Sequence, residues 1–116
     1  MKEATLQYYK AVDSGDLDTL YSLFSDDIEY QRCEENISGI EALKEFYGVN
    51  RTIHGKHTVH SIVSEEDVIA TRGVFKGKNG KNEDIILNFA DFFVFNQEGQ
   101  IAKRFTYLAE GFEKTQ

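Results

Sequence analysis

One carboxylate, Asp91, lies inside the apolar run FADFFVF at residues 89–95. Burying a carboxylate without a partner is costly, so Asp91 needs either an ion-pair partner or a pocket that holds it as an acid. Arg72 and Arg104 are both available as partners. Because structural ion pairs and catalytic groups perturb acid–base behaviour alike, the residues alone leave both roles equally open.

Tyrosine and histidine supply the other groups that could stabilise charge or carry a proton. Tyr8 could donate a hydrogen bond to an oxyanion, although a place in the core is the favoured alternative for such a side chain. His54, His57 and His60 follow at three-residue intervals on one predicted strand. Neighbouring histidines then point to opposite faces, and we predict no metal site. His57 is a candidate proton carrier if it faces a pocket, with a half-buried strand position as the favoured alternative.

Composition limits the class of protein. The chain has 116 residues, of which 41% are hydrophobic and 13% aromatic, and this predicts one domain over residues 1–116 with its own core. The net charge of −7 argues against nucleic acid as a partner. A single cysteine, Cys33, excludes an intramolecular disulfide. We expect no membrane association and a cytoplasmic location, because no run of about 18 apolar residues and no apolar signal segment is present.

The first half of the chain has helical periodicity. We predict a helix over residues 3–14 that Gly15 ends, and a second helix with Asp16 as its N-cap. Ser38 and Glu41 have the spacing of a capping box for a third helix that reaches about residue 50. The apolar positions assigned to these helices are Leu6, Tyr9 and Val12, then Leu17, Leu20, Tyr21 and Phe24, then Ile40, Leu43 and Tyr47.

After Gly55 the apolar residues recur with a period of two. This pattern predicts a four-stranded meander, which follows the short strand predicted at 28–31 along the chain. The predicted strands cover residues 56–64, 68–76, 83–96 and 101–109. Helices grouped on one face of an antiparallel sheet make an α+β domain. Both faces of residues 85–95 are apolar, so we expect helices on one side and a partner subunit on the other if the protein dimerises.

These elements resemble the nuclear transport factor 2-like superfamily, and within it the ketosteroid isomerases and SnoaL-like polyketide cyclases. The similarity is carried by YYKAVDSGDLDTLYSLFSDDIEY, SGIEALKEFY and DFFVFNQEGQIAKRF. It implies a cone-shaped, cystatin-like fold, in which a curved antiparallel sheet wraps around three N-terminal helices and encloses a pocket. Such domains are usually homodimers through the sheet.

The resemblance to the isomerases also implies roles for individual residues. Tyr8 and Asp91 match the pair that forms an oxyanion hole, where the acid is kept neutral by an apolar site. Tyr47 matches a supporting tyrosine, and Phe24 replaces a second one. The isomerase general base is replaced by Arg32, which cannot take up a proton. In the SnoaL-like cyclases a strand aspartate near the place of Asp91 acts as the acid/base by itself.

Alignment with the family pattern predicts which strand residues face the pocket: Ala70, Arg72, Val74, Arg104, Thr106, Leu108 and His57. The candidate substrate-binding residues are Arg32, Arg72, Arg104, His57 and Phe89. Three arginines in the pocket indicate a small-molecule ligand with a carboxylate, enolate or phosphate group.

We therefore predict a small-molecule pocket protein, either an isomerase or a cyclase, that transfers a proton next to a carbonyl without a cofactor. Asp91, Tyr8 and Tyr47 are the candidate catalytic residues. Two alternatives stay open. One is a non-catalytic ligand-binding module, and the other is a dimeric scaffold, which a cavity filled by Phe89 and Phe93 would favour.

Overall fold

The computed structural model describes residues 1–50 and 53–110. Its first helix, α1, spans Lys2–Ser14, and Gly15 ends it in the left-handed conformation, with φ of 76°. The second helix, α2, spans Leu17–Ser22, and the Asp16 side chain accepts a hydrogen bond from the Thr19 backbone N–H at 3.3 Å. The predicted boundary between the two helices is confirmed, because left-handed glycine and an Asp N-cap both act locally.

The buried face of α1 includes the predicted Tyr9 and Val12 but not Leu6. Leu6 is 43% exposed, whereas Thr5, Tyr8, Tyr9 and Val12 are buried. Their spacing of three, four and seven residues is the spacing of one helix face. Both tyrosines of α1 therefore point into the protein.

The third helix, α3, spans Ile40–Glu45 and continues as a π-helical turn, Phe46–Asn50. The predicted capping box is wrong. Gly39 is the N-cap of α3, and no side chain caps it. Ser38 instead ends a strand and donates a hydrogen bond to Glu29 Oε1 at 2.7 Å. Ser38 is held opposite Glu29 by the pairing of β1 with β2, so its side chain cannot cap α3.

Six strands form one curved sheet on which the helices pack. The strands are β1 (Phe24–Arg32), β2 (Glu35–Ser38), β3 (His54–Glu65), β4 (Val68–Lys78), β5 (Asp84–Phe95) and β6 (Ile101–Glu110). Their order is β2-β1-β6-β5-β4-β3, so the predicted meander is the β3–β6 part. Phe24, which we assigned to α2, begins β1. β1 lies beside β6, and this pair is parallel while the others are antiparallel.

The register of β4, β5 and β6 decides which residues share the inner face with Asp91. Asp91 lies opposite Thr71 on β4 and opposite Thr106 on β6. Residues directly opposite each other point to the same face. Thr71 is therefore inside, and the predicted inward positions Ala70, Arg72 and Val74 lie on the outer face. That prediction is wrong by one residue, which is enough to turn every side chain of a strand over.

The core lies between the helices and the inner face of the sheet. Its fully buried large side chains include Leu20, Ile28, Leu43, Phe93 and Ile101. Gly73 allows β3, β4 and β5 to approach closely there, because a Cβ at this position would lie 2.0 Å from the Thr58 carbonyl oxygen. None of the helices in residues 1–50 and 53–110 is long and apolar enough to span a membrane.

Candidate functional site

A small cavity lies where α1 and the π-helical turn meet the inner face of the sheet. It offers about 30 Å³ to the centres of water-sized molecules, so it can hold a few waters. Seven of the eight predicted site residues line it, and Arg72 is the exception. The lining consists of Tyr8, Tyr30, Arg32, Phe46, Tyr47, Ile53, His57, Phe75, Leu87, Phe89, Asp91, Arg104, Thr106 and Leu108.

Asp91 is held from several sides at one end of the cavity. Its carboxylate is 1% exposed. Oδ1 accepts a hydrogen bond from Thr106 Oγ1 at 2.5 Å, and Oδ2 accepts one from Arg104 Nη2 at 3.0 Å. The Tyr9 hydroxyl also donates to Oδ2. Both carboxylate oxygens are therefore hydrogen-bonded, and Arg104 is the arginine that pairs with Asp91.

Arg104 is a buried cation between Asp91 and two tyrosines, and it is 3% exposed. Its Nη1 donates to the Tyr47 hydroxyl at 2.9 Å and to the Tyr8 hydroxyl. Its guanidinium carbon lies 4.1 Å from the centre of the Tyr8 ring and 4.7 Å from that of Tyr30, within the range of cation–π attraction. Among the residues that the structure describes, Arg104 Nε has no hydrogen-bond partner.

The charge of Arg104 is secured by these neighbours. Burial by itself would lower the pKa of the guanidinium, but Asp91 and the three surrounding tyrosines outweigh it and raise the pKa well above its ordinary value. Arg104 is therefore a permanent positive charge in the wall of the cavity.

Tyr8 and Tyr47 bring their hydroxyl oxygens within 2.5 Å of each other. The resemblance implied that Tyr47 supports Tyr8, and the two hydroxyls are hydrogen-bonded to each other. Phe24 packs edge-on against the Tyr8 ring, with the ring centres 6.0 Å apart. Tyr8 and Asp91, the implied oxyanion-hole pair, are linked through Arg104, which donates to both. Which of these residues act in catalysis stays a prediction.

Sequence reasoning missed three hydroxyl groups that complete the cluster around Asp91. Tyr9 bonds to Thr71 Oγ1 at 2.7 Å as well as to Asp91, and Tyr30 donates to Thr106 Oγ1 at 3.0 Å. Burial raises the pKa of both tyrosines, and for Tyr9 the Asp91 carboxylate raises it further. The helical pattern placed Tyr9 on the buried face of α1, as observed, but had no signal for its contact with Asp91. The parity of β4 depends on pairing and had no local signal.

His57 also lines the cavity, and it is held by Asp13, which sequence reasoning missed. His57 Nδ1 lies 2.6 Å from Asp13 Oδ1, and the His57 backbone N–H donates to Asp13 Oδ2 at 2.8 Å. Both side chains are largely buried. The imidazole packs against the rings of Tyr9, Phe75 and Phe89.

The remaining predicted binding residues have different positions. Arg32 is half-buried, lines the cavity and lies 5.4 Å above the ring of Phe46. Phe89 is buried and fills part of the cavity wall. Arg72 is exposed on the outer face of β4 and does not reach the cavity, because its neighbour Thr71 takes the inward position opposite Asp91. The pocket therefore contains two of the three predicted arginines.

Solved structures with the same fold include three informative neighbours. An NTF2-like protein of unknown function from Exiguobacterium sp. 255-15 is 24% identical, with a TM-score of 0.83 over 93% of this chain and 99% of that one. An LEH-like epoxide hydrolase from M. tuberculosis is 16% identical, with a TM-score of 0.81 over 92% of this chain and 80% of that one. A hypothetical protein with a ketosteroid isomerase-like fold from Catenulispora acidiphila DSM 44928, solved with trimethylamine, is 16% identical. Its TM-score is 0.79 over 90% of this chain and 84% of that one.

These likenesses establish the cone-shaped α+β fold expected from the sequence. None of the curated proteins matches the chain at a significant level. The family model of the SnoaL-like domain matches residues 5–104, which include most of α1, the predicted site residues and most of the sheet. The chain therefore belongs to the SnoaL-like domain family.

Proposed function

We propose that this protein is a small-molecule pocket protein that transfers a proton next to a carbonyl group without a cofactor, as an isomerase or a cyclase. The observation that carries the proposal is the buried cluster of Arg104, Tyr8 and Tyr47 in the cavity wall. Removing a proton next to a carbonyl places negative charge on the carbonyl oxygen. A fixed cation beside two phenol hydroxyls is a preorganised environment for that charge.

In this proposal Asp91 positions Arg104 and does not move protons itself. Both oxygens of the Asp91 carboxylate accept hydrogen bonds, from Thr106, Tyr9 and Arg104, so the group is engaged in contacts within the protein. Its charge offsets the cost of burying the guanidinium and fixes the direction in which Arg104 presents its donors.

The ligand that fits this wall has an enolisable carbonyl or a related anionic oxygen. Arg104 supplies the buried charge, and Arg32 supplies a second, half-buried charge nearer the solvent. Six aromatic and aliphatic side chains form a further part of the wall and suit an apolar body. They are Phe46, Phe75, Leu87, Phe89, Ile53 and Leu108.

A non-catalytic module, either a ligand binder or a dimeric scaffold, is the second candidate function. It is favoured by the size of the cavity, which offers only about 30 Å³ to the centres of water-sized molecules. The saturated hydrogen bonding of Asp91 favours the same alternative.

Hydrogen–deuterium exchange separates the two candidates without knowledge of the natural substrate. Acetone, cyclohexanone and acetylacetone are incubated with the protein in D₂O, and loss of their α-proton signals is followed by ¹H NMR. We expect the protein to accelerate exchange, and Tyr47→Phe to reduce the acceleration by about 10²–10³-fold, the typical effect of removing one oxyanion donor. Tyr107→Phe, which alters an exposed tyrosine on the outer face, is the matched control.

Two results would contradict the enzyme proposal. Saturable ligand-induced shifts without any exchange would identify a binder. The absence of both binding and exchange for all three compounds would favour the scaffold.

We also propose that two copies associate through the outer face of the sheet. Phe92 and Tyr107 lie there 41% and 51% exposed, with their rings edge to face at 6.3 Å. Large apolar side chains that neighbour each other on a surface are typical of protein–protein contacts.

A further inference from the structure

The Asp13–His57 pair has the geometry of an acid–base dyad. The carboxylate of Asp13, on α1, is hydrogen-bonded to both the ring nitrogen Nδ1 and the backbone N–H of His57, on β3. This two-point contact fixes the ring and gives Nδ1 the proton when the imidazole is neutral. The described hydrogen bonds of the ring involve Nδ1 only, so Nε2 is the nitrogen available to a ligand.

The position of the ring connects the cavity with the solvent. His57 lines the buried cavity and also an open groove between α1 and β3. Tyr9, Phe75 and Phe89 pack around the ring and restrict its rotation. A proton that reaches the imidazole from the groove can thus be delivered into the cavity.

The charged groups around the ring come from both sides. On the groove side they are Asp13, Lys10 and Lys56. On the cavity side they are the paired charges of Asp91 and Arg104, with Arg32 beyond them. Of the groups that line the cavity in residues 1–50 and 53–110, His57 is the one imidazole, and its described hydrogen bonds leave Nε2 available to accept a proton.

We propose that His57 is the proton-transfer residue of this cavity and that Asp13 is its positioning residue. This inference rests on the proposed function, and it identifies the residue that acts as the base in the proposed proton transfer. His57 Nε2 takes the α-proton of a carbonyl compound, so that the C–H bond breaks and an N–H bond forms. The electron pair moves into a carbon–carbon double bond, and the resulting enolate oxygen lies against Arg104, Tyr8 and Tyr47. His57 then returns the proton to carbon and regains its neutral form.

The first experiment needs no ligand. Two-bond ¹H–¹⁵N correlation spectra of the histidine side chains, recorded at about pH 8, where an ordinary imidazole is neutral, report which ring nitrogen carries the proton. We expect the Nδ1–H form for His57 in the wild type and a mixture of forms in Asp13→Asn. A His57 ring with its proton on Nε2, or one that does not respond to Asp13→Asn, would overturn the dyad.

The second experiment uses the exchange assay with acetylacetone. General acid–base catalysis typically contributes about 10²–10⁴-fold, so His57→Gln should lose an acceleration of that size. Asp13→Asn should lose part of it and change the pH dependence of the rate, which a purely structural residue would not do. His60→Gln, on the same strand but exposed, should behave as the wild type.

The outcomes distinguish the two proposals. Exchange by His57→Gln at the wild-type rate would overturn the role of His57 and leave the proposed function standing. A wild type that exchanges no compound, yet keeps the Nδ1–H form in a manner that depends on Asp13, would reject the carbonyl chemistry while supporting the dyad.

Discussion

Asp91 and Arg104 lie side by side in the core, where neither charge would be tolerated alone. Two hydroxyl groups donate further hydrogen bonds to the carboxylate oxygens, and tyrosine hydroxyls and rings surround the guanidinium. Removing one partner of such a pair leaves a buried charge without compensation, whereas neutral replacement of both can cost little. The pair therefore constrains which substitutions the site tolerates.

We expect strong coupling between Asp91 and Arg104 in a double-mutant cycle. Asp91→Asn and Arg104→Met should each lower the free energy of unfolding by about 3–5 kcal/mol, because each leaves its partner buried and unpaired. The double variant should lose clearly less than the sum of the two. Urea denaturation of the four proteins measures this, with the exposed Arg72→Met as a control expected within about 0.5 kcal/mol of wild type. Additive losses would show that the two side chains act independently.

Buried tyrosines predict that stability falls in alkali. Burial, and for Tyr9 also Asp91, raises the pKa of Tyr9 and Tyr30 in the folded state. The folded chain then keeps protons that the unfolded chain loses above about pH 10. The stabilisation is complete below that pH and falls as the pH rises, by about 1.4 kcal/mol per pH unit for each tyrosine.

Urea denaturation between about pH 8 and pH 11 tests this expectation over the range where an ordinary tyrosine ionises. Tyr9→Phe should be less stable at pH 8, because hydrogen bonds to Asp91 and Thr71 are lost, but its stability should fall less steeply. Tyr107→Phe provides the comparison for an exposed tyrosine. An unchanged slope in Tyr9→Phe would contradict the role of burial.

At the level of elements, α1 organises both halves of the site. Successive helical residues point about 100° apart, so adjacent residues can reach different targets. Tyr8 contacts Arg104 and Tyr47, Tyr9 contacts Asp91 and Thr71, and Asp13, one turn later, holds His57. A rotation of α1 would disturb the oxyanion cluster and the dyad together.

The two predicted caps differ in what they do, and stability measurements should show it. Asp16→Ala should cost about 1 kcal/mol, because it removes the acceptor of the Thr19 N–H at the start of α2. Ser38→Ala removes an exposed hydrogen bond to Glu29 and should change stability by less than about 0.5 kcal/mol. Urea denaturation of both variants gives the comparison. Equal losses would indicate that Ser38 does cap α3.

For the whole molecule, the sheet separates a polar cluster inside from an outer face on which Phe92 and Tyr107 are exposed. We expect a homodimer whose interface includes Phe92 and Tyr107, because covering these side chains removes apolar area from water. Light scattering after size exclusion should give twice the chain mass for the wild type and a shift towards the monomer for Phe92→Glu and Tyr107→Glu. Leu6→Glu, which alters an exposed leucine on α1, should not shift it. A wild type that stays monomeric at high concentration would contradict the proposal.

The amino-acid sequence by itself determined the helices, the four strands of the meander and the presence of Asp91 on an apolar stripe, whereas β2 was not predicted. Periods of two and 3.6, the left-handed glycine and the Asp N-cap act over a few residues, so they can be recognised locally. The family resemblance of three segments of the chain then predicted the fold family and identified Tyr8, Tyr47 and Arg104 as candidate site residues. Errors occurred where neighbouring elements compete, as at Ser38 and Phe24.

Only the tertiary structure decided the partners. Arg104 and not Arg72 pairs with Asp91, because the pairing of β4 with β5 turns Thr71 inward and Arg72 outward. Asp13 reaches His57 because α1 packs beside β3, 44 residues further along the chain. Strand register and helix docking both depend on contacts between distant segments. A shift of one residue in strand register turns every side chain of that strand to the other face of the sheet. The contacts that determine the chemistry of the cavity therefore depend on long-range packing, whereas the types of the residues that line it can be recognised from local segments of the sequence.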